Sequence, residues 1–173
     1  MDGWIHRHKA EWYDQDGAWA SMGTVHGGLL AQLMAHDFIQ KSAPKSTGRE
    51  DFHLPWLDSI LTDMQVEAVD VQATLCEFTA VSIAREIVKF ADTHDELLVC
   101  GGGAYNRHLL GRLAELLPTF AIHSTDTVGI SPTWVEAVAF GWLARQTMLM
   151  QAGNLPMVTG ASTAAVLGVV CFA

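Results

Sequence analysis

Four apolar residues, Leu97-Leu98-Val99-Cys100, run straight into Gly101-Gly102-Gly103, and leucines then stand at 109, 110, 113, 116 and 117 before Pro118. A short continuous apolar run, glycines and an apolar set at three- and four-residue spacing read as strand, glycine turn and amphipathic helix. No other stretch constrains the fold as much, because a strand feeding a helix must bury one face against it. Phe120-Ala121-Ile122 leads into Thr125-Asp126-Thr127 as a second strand. Ser131-Pro132 supplies an N-cap and a first-turn proline for a helix to about Met150. Val166 to Phe172 reads as a last short strand. Strands alternating with helices predict an α/β domain with helices packed on a sheet.

The first half reads as helical. Val25, Leu29, Leu30, Leu33 and Met34 have helical spacing, Tyr13 to Gly17 is turn-like, and Leu54 to Met64 forms a short helix. Val69 to Phe90 is a long helix whose apolar set, Val71, Leu75, Phe78, Val81, Ile83 and Ile87, covers more than one face, so it is buried on two sides. Ala43 to Glu50 is a polar loop. No repeat or low-complexity linker divides the 173 residues, which predict a single domain over 1–173.

The balance of 19 acidic against 10 basic residues, net −9, argues against a nonspecific nucleic-acid binder, which needs a basic face. The longest apolar run, Ala164 to Phe172, falls well short of the about 20 residues a membrane-spanning helix needs. The N-terminal residues carry no secretory pattern. Cys76, Cys100 and Cys171, odd in number and each in an apolar stretch, read as buried free thiols of a cytoplasmic protein. The mean hydropathy of +0.20, with six Trp, seven Phe and seven Met, is high for a small soluble domain and points to a rich core or to apolar surface that belongs against a partner.

Chemistry concentrates in three places. Glycines between a strand and a helix let backbone approach a phosphate or adenosine, and Asn106 is placed to cap the helix. The third glycine of the dinucleotide fingerprint is replaced by Asn106, while Asp126 lies where a ribose-binding acid would stand. The residues alone leave nucleotide binding and a structural tight turn both open. Glu136, with Phe140 and Leu143 four and seven residues on, either heads an apolar face as a candidate base or is a solvated acid at a helix N-terminus. Lys45-Ser46-Thr47-Gly48-Arg49 offers two cations and two hydroxyls to an anion, without the upstream glycine of a Walker A loop, or is a solvated surface loop. The eight histidines show no metal-ligand spacing, and no Gly-x-Ser-x-Gly elbow supports a hydrolase.

Five segments in order resemble the anhydro-N-acetylmuramic acid kinases. They are Lys45 to Glu50; Asp70 to Leu75 with Phe78-Thr79-Ala80; Val99 to Ala104 with Asn106; Glu136-Ala137 with Ala139-Phe140 and Trp142-Leu143-Ala144; and Gly153 to Pro156 with Val158 to Ala161. The resemblance implies a cytoplasmic sugar kinase of peptidoglycan recycling in the actin, hexokinase and Hsp70 ATPase superfamily. Such an enzyme uses ATP and magnesium, has two ribonuclease-H-like lobes with mixed sheets and packed helices, and is commonly a homodimer. It further implies that Gly101, Gly102, Gly103 and Asn106 contact adenosine, that Glu136 lines the sugar pocket, and that Lys45, Ser46, Thr47 and Arg49 face the substrate cleft.

The family's Asp-Thr-Gly-Pro-Gly-Asn motif, whose aspartate is the general base, and its N-terminal Gly-Thr-Ser phosphate loop are not in this sequence. The chain is therefore expected to be a C-terminal lobe, inactive alone. Ser131-Pro132-Thr133-Trp134 also replaces a more acidic stretch, and Tyr105 stands where the family varies. Two other classes compete. One is a dinucleotide-binding oxidoreductase half built on Gly101, Gly103 and Asp126, for which an all-parallel sheet would speak; the other is a non-catalytic interaction module.

Overall fold

The structure, a computed structural model, describes residues 1–48, 50–90 and 96–171. Its first half is helical: α1 (Asp2–Lys9), α2 (Gly27–Met34), the short α3 (Asp37–Gln40), α4 (Leu54–Leu61) and the 23-residue α5 (Ala68–Phe90). One side of α5 presents Val71, Leu75 and Phe78 to Trp4 of α1, Leu29 and Leu33 of α2, Ile39 of α3 and Leu57 of α4. Its other side presents Cys76 and Ala80 to Ala20 and to Leu109 and Leu113 further along the chain. The expected burial of this helix on two sides is thus observed.

Helices α2, α3 and α4 each begin at a histidine. The imidazoles of His26, His36 and His53 accept hydrogen bonds from the backbone N–H of Leu29 (3.1 Å), Phe38 (3.1 Å) and Trp56 (3.0 Å). Histidine thus fills the capping role usually taken by Ser, Thr, Asn or Asp, which explains why spacing arguments aimed at metal ligation found no pattern among these residues.

The second half forms one strand-helix-strand unit: β1 (Glu96–Val99), α6 (Arg107–Leu116) and β2 (Ala121–Ser124), with a 3₁₀ turn at Gly102–Tyr105 between β1 and α6. The two strands are parallel, with Leu97 opposite Ile122 and Val99 opposite Ser124. Asn106 caps α6 as expected, its side chain accepting from Leu109 N–H at 2.9 Å. The helix packs Leu109 and Leu113 on α5. Its Arg112 forms two hydrogen bonds to Glu77, Nε to Oε2 at 2.7 Å and Nη2 to Oε1 at 3.0 Å. Glu77 is 8% exposed, and the hydrogen bond it accepts raises the Arg112 pKa above its ordinary value.

Four expectations need correction. Thr125-Asp126-Thr127 is not strand: β2 stops at Ser124, whose hydroxyl accepts from Asp126 N–H (3.2 Å) and whose carbonyl accepts from Thr127 Oγ1 (2.8 Å), so local side-chain bonds curl the chain into a 3₁₀ turn at Thr125–Val128. Ser131 caps no helix, because a 3₁₀ turn at Pro132–Trp134 intervenes and α7 spans Val135–Met148. The stretch 166–171 is irregular, broken by Gly168 at φ +88°, while Phe172 of that run lies outside the described residues. Among the described residues the sheet is wholly parallel, so the expected mixed sheet is seen only as two parallel strands. A short α8 (Pro156–Thr159) precedes the tail.

Removing one partner of a buried ion pair strands the other charge. Because Arg112 is itself partly exposed, Arg112→Met is expected to lower stability by about 1–2 kcal/mol in urea unfolding, and Arg112→Lys to restore only part of it, because an ammonium cannot reproduce the two-pronged contact.

Candidate functional site

In parallel α/β units, ligands gather beyond the carboxyl ends of the strands. Here that edge carries the glycine turn after Val99 and the Thr125–Val128 turn after Ser124, and Val99 and Ser124 are opposite one another in the sheet. Gly101 adopts φ +76°, ψ −174°, a region open essentially to glycine alone. A Cβ added at Gly101 or Gly102 would meet no atom within 4 Å, so the backbone there faces open space, as a cradle for a flat ligand requires. The Gly101 N–H donates to the Pro132 carbonyl at 2.9 Å, which ties the glycine turn to the approach of α7.

That bond brings Glu136 into the neighbourhood. Glu136 lies in the first turn of α7, four residues past Pro132, and is exposed. Its surroundings match a solvated acid near a helix N-terminus, one of the two readings left open above. Asp126 sits in the turn after β2, its Oδ2 accepting from Ser124 Oγ at 3.1 Å. Sequence reasoning missed Thr125, which is 9% exposed with a buried hydroxyl lacking any hydrogen-bond partner. A buried unpaired hydroxyl is costly, and this one lies just past a strand's carboxyl end, closed off from solvent. No composition or spacing signal marks it; only the register of β2 does.

Asn106 is committed to structure. Its Oδ1 serves the α6 cap, and Gly17, at φ +70°, passes so close that a Cβ there would lie 2.3 Å from that oxygen. Gly101, Gly102, Asp126, Thr125 and the start of α7 therefore gather at one edge, with Asn106 holding the helix behind them.

The Lys45 loop is built differently. Lys45 Nζ donates to Glu86 Oε1 at 2.9 Å and to the Phe38 carbonyl at 3.3 Å, and lies 4.8 Å from the Phe38 ring centre. Its side chain is only 10% exposed. Thr47 Oγ1 donates to Asp51 Oδ2 at 2.5 Å, Ser46 is exposed, and Arg49 lies outside the described residues. Hydrogen bonds from Lys89 and then Lys45 hold the Glu86 carboxyl below its ordinary value. The ammonium expected to attract an anion is thus already neutralised. Lys45 and Glu86 edge an open groove of about 960 Å³ walled by Trp4, Phe52, Trp56 and Phe78. Among the described residues no hydrogen bond links this loop to the glycine turn.

Among the described residues, no group of three or more His, Cys, Asp or Glu side chains could hold a metal, and no helix is long and apolar enough to cross a membrane. Cys76 is buried, with its thiol pushed up to about 11 by desolvation and then by Asp14 and Glu77. Cys100 and Cys171 correct the expectation of burial: both are exposed, Cys100 directly after β1 and Cys171 in the irregular tail.

Comparison with known proteins matches the model of the anhydro-N-acetylmuramic acid kinase family over residues 1–173. Proteins named anhydro-N-acetylmuramic acid kinase share 50% identity over 172 residues in Thiobacillus denitrificans, 49% over 182 in Psychrobacter arcticus and 49% over 169 in Pseudomonas paraeruginosa. These matches cover 98%, 100% and 97% of this chain but only 46%, 42% and 46% of the relatives. The chain spans a little under half the length of the relatives it matches. Parallel strands around a glycine turn would by themselves suit the dinucleotide-binding alternative; the family match over the whole chain decides against it.

Two outcomes follow. Gly101→Ala is expected to cost about 1–3 kcal/mol in thermal unfolding despite the open space, since the cost is backbone strain. A carboxyl held low in the folded state contributes stability above its ordinary value, 4.5 for Glu86, that is lost as pH falls through the folded value. Relative to a free peptide of the same loop, pepsin should therefore cut 41–48 faster at about pH 3 than at about pH 5, and Lys45→Met should reduce that excess while leaving the part due to Lys89.

Proposed function

Because the chain belongs to the anhydro-N-acetylmuramic acid kinase family, we propose that it forms one lobe, ribonuclease-H-like in fold, of a two-lobed cytoplasmic sugar kinase of peptidoglycan recycling. The reaction is cleavage of the anhydro bridge by water with phosphorylation of the freed 6-hydroxyl, giving N-acetylmuramic acid 6-phosphate. ATP, with magnesium, supplies the transferred phosphoryl group.

The observation that carries this reading is the open glycine turn at the carboxyl edge of β1. Gly101 and Gly102 leave a face on which an adenosine can lie against backbone. Gly103 continues the turn, with Leu109 3.7 Å from where its Cβ would stand, and Asn106 fixes the helix that follows. The residues present fit a nucleoside, and magnesium would supply charge to its phosphates.

Glu136 would serve as a sugar-pocket carboxylate, accepting hydrogen bonds from hydroxyl or amide groups of the amino sugar. Ser46 and Thr47, with Arg49, would face the same substrate, with Lys45 holding their loop in place through Glu86. The assembled enzyme would be a homodimer. The family's general base has no counterpart in this sequence, and losing a general base costs about 10²–10⁴ in rate. The lobe alone is therefore expected to be silent.

Two measurements test this. In calorimetry the chain should bind ATP or ADP weakly, and Gly102→Ala, which meets no protein atom, should leave the melting temperature unchanged while weakening nucleotide binding about tenfold. Equal binding by the variant would remove the glycine turn from the nucleotide site. In a coupled ADP-release assay with anhydro-N-acetylmuramic acid, the pure chain should show no turnover above background; turnover would overturn the single-lobe reading.

A further inference from the structure

Helix α7 has the composition of a core helix and the exposure of a surface one. From Val135 to Met148 its only charged residues are Glu136 and Arg145, and none of its residues is buried. Trp134, just before it, is 66% exposed, Phe140 64% and Trp142 49%. Helices apolar all round are covered all round.

This chain covers only a part of it. Leu143 lies against Gly153 and Leu167, and Thr147 Oγ1 donates to the Leu143 and Leu167 carbonyls, so the tail shields one strip. The bare apolar surface continues through Met148-Leu149-Met150 to Met157, which is 90% exposed. A patch of this extent marks an interaction face.

The distribution around α7 says what kind of partner fits. Trp134, Val138 and Trp142 follow at four-residue spacing and share a side; Phe140, two residues from Val138 and from Trp142, stands on another. A second copy meeting this one across a two-fold axis applies one flat patch to its equal and would leave one of these sides wet. A polypeptide that wraps the helix would cover both. The relatives carry more than half their length beyond what this chain matches, which is polypeptide enough to do so.

We propose that α7 and the strip from Met148 to Met157 form the seat of the other lobe, which encloses α7 on two sides with apolar side chains. The inference rests on the two-lobe reading above. It gives α7 two tasks: it carries Glu136 at its head beside the glycine turn and is gripped along its length by the partner lobe, so lobe contact and the proposed sugar carboxylate share one rigid element.

The test co-refolds this chain from denaturant with the portion of the Thiobacillus denitrificans relative outside the 172 matched residues, so neither piece must fold alone. Light scattering should show a complex holding the two pieces in equal numbers. Phe140→Arg and Trp142→Arg should each weaken it about tenfold or more while leaving the chain's own melting temperature unchanged. Failure to form a complex, or a complex indifferent to both substitutions, overturns the proposal. So does self-association of this chain that both substitutions abolish and the complement does not displace, which would assign the face to a second copy. Phosphorylation of the anhydro sugar is read separately: a complex without it overturns the kinase reading and leaves the interface standing, whereas loss of the complex leaves the nucleotide titration intact.

Discussion

Helix α5 organises the molecule through its polar residues as much as its apolar ones. A helix buried over Val71 to Phe78 carries its polar groups at low cost where they find partners, and here the partners come from three segments, residues 14, 24–26 and 112, although Gln72 Oε1 has none among the described residues. Asp70 accepts from Thr24 N–H at 2.7 Å, Gln72 donates to Asp14 at 3.1 Å, Thr74 accepts from His26 N–H at 2.9 Å, and Glu77 holds Arg112. Asp14 also accepts from Trp19 and Ala20 N–H, so one buried carboxylate folds the 14–20 turn and docks it. Apolar burial would hold these segments to α5 without choosing their register; the hydrogen bonds choose it.

The proposed site inherits that precision at second hand. The Glu77–Arg112 pair sets how α6 lies on α5, Asn106 sets where α6 begins, and the three glycines span the gap back to β1. A parallel pair of strands cannot be closed by a tight hairpin and needs a crossover helix, so β2 and its Thr125–Val128 turn are placed by α6 as well. A fault in the α5–α6 contact would therefore move both turns together, and the edge on which the nucleotide is proposed to rest would shift as a unit.

The strand, glycine turn and helix over residues 97–117 were legible because each change of rhythm has a local cause, and Asn106 as cap and the two-sided burial of α5 followed from residue type and spacing. What escaped was set by contacts distant in sequence or by competition within a turn. Thr125 to Thr127 looked extended until Asp126 N–H and the Thr127 hydroxyl bonded to Ser124, and Ser131 looked like a cap until Pro132–Trp134 tightened into its own turn. Lys45 looked free because its partner, Glu86, lies 41 residues away. Thr125 carries no pattern at all: its place comes from following Ser124, which ends β2 opposite the end of β1. The histidine caps show the reverse error, a search for metal ligands overlooking the ordinary acceptor capacity of a neutral imidazole.

The commitment of Lys45 alters how an anionic ligand must be held. The chain is acidic, and its described cations are largely spent: Arg7 faces Asp58, Lys9 faces Glu11, Lys89 joins Lys45 on Glu86, Arg107 faces Asp16, and Arg112 spans Glu77 and Glu115. Long-range attraction of a nucleotide or a sugar acid by this chain is thus weak. On the proposed reading the chain would recognise the neutral part of the nucleotide, the adenosine, through backbone contacts. The phosphate charge would fall to magnesium and to the other lobe, and that division explains why an acidic lobe can serve a phosphoryl transfer without repelling its own substrate: its contribution is shape and position, and the charge is met elsewhere.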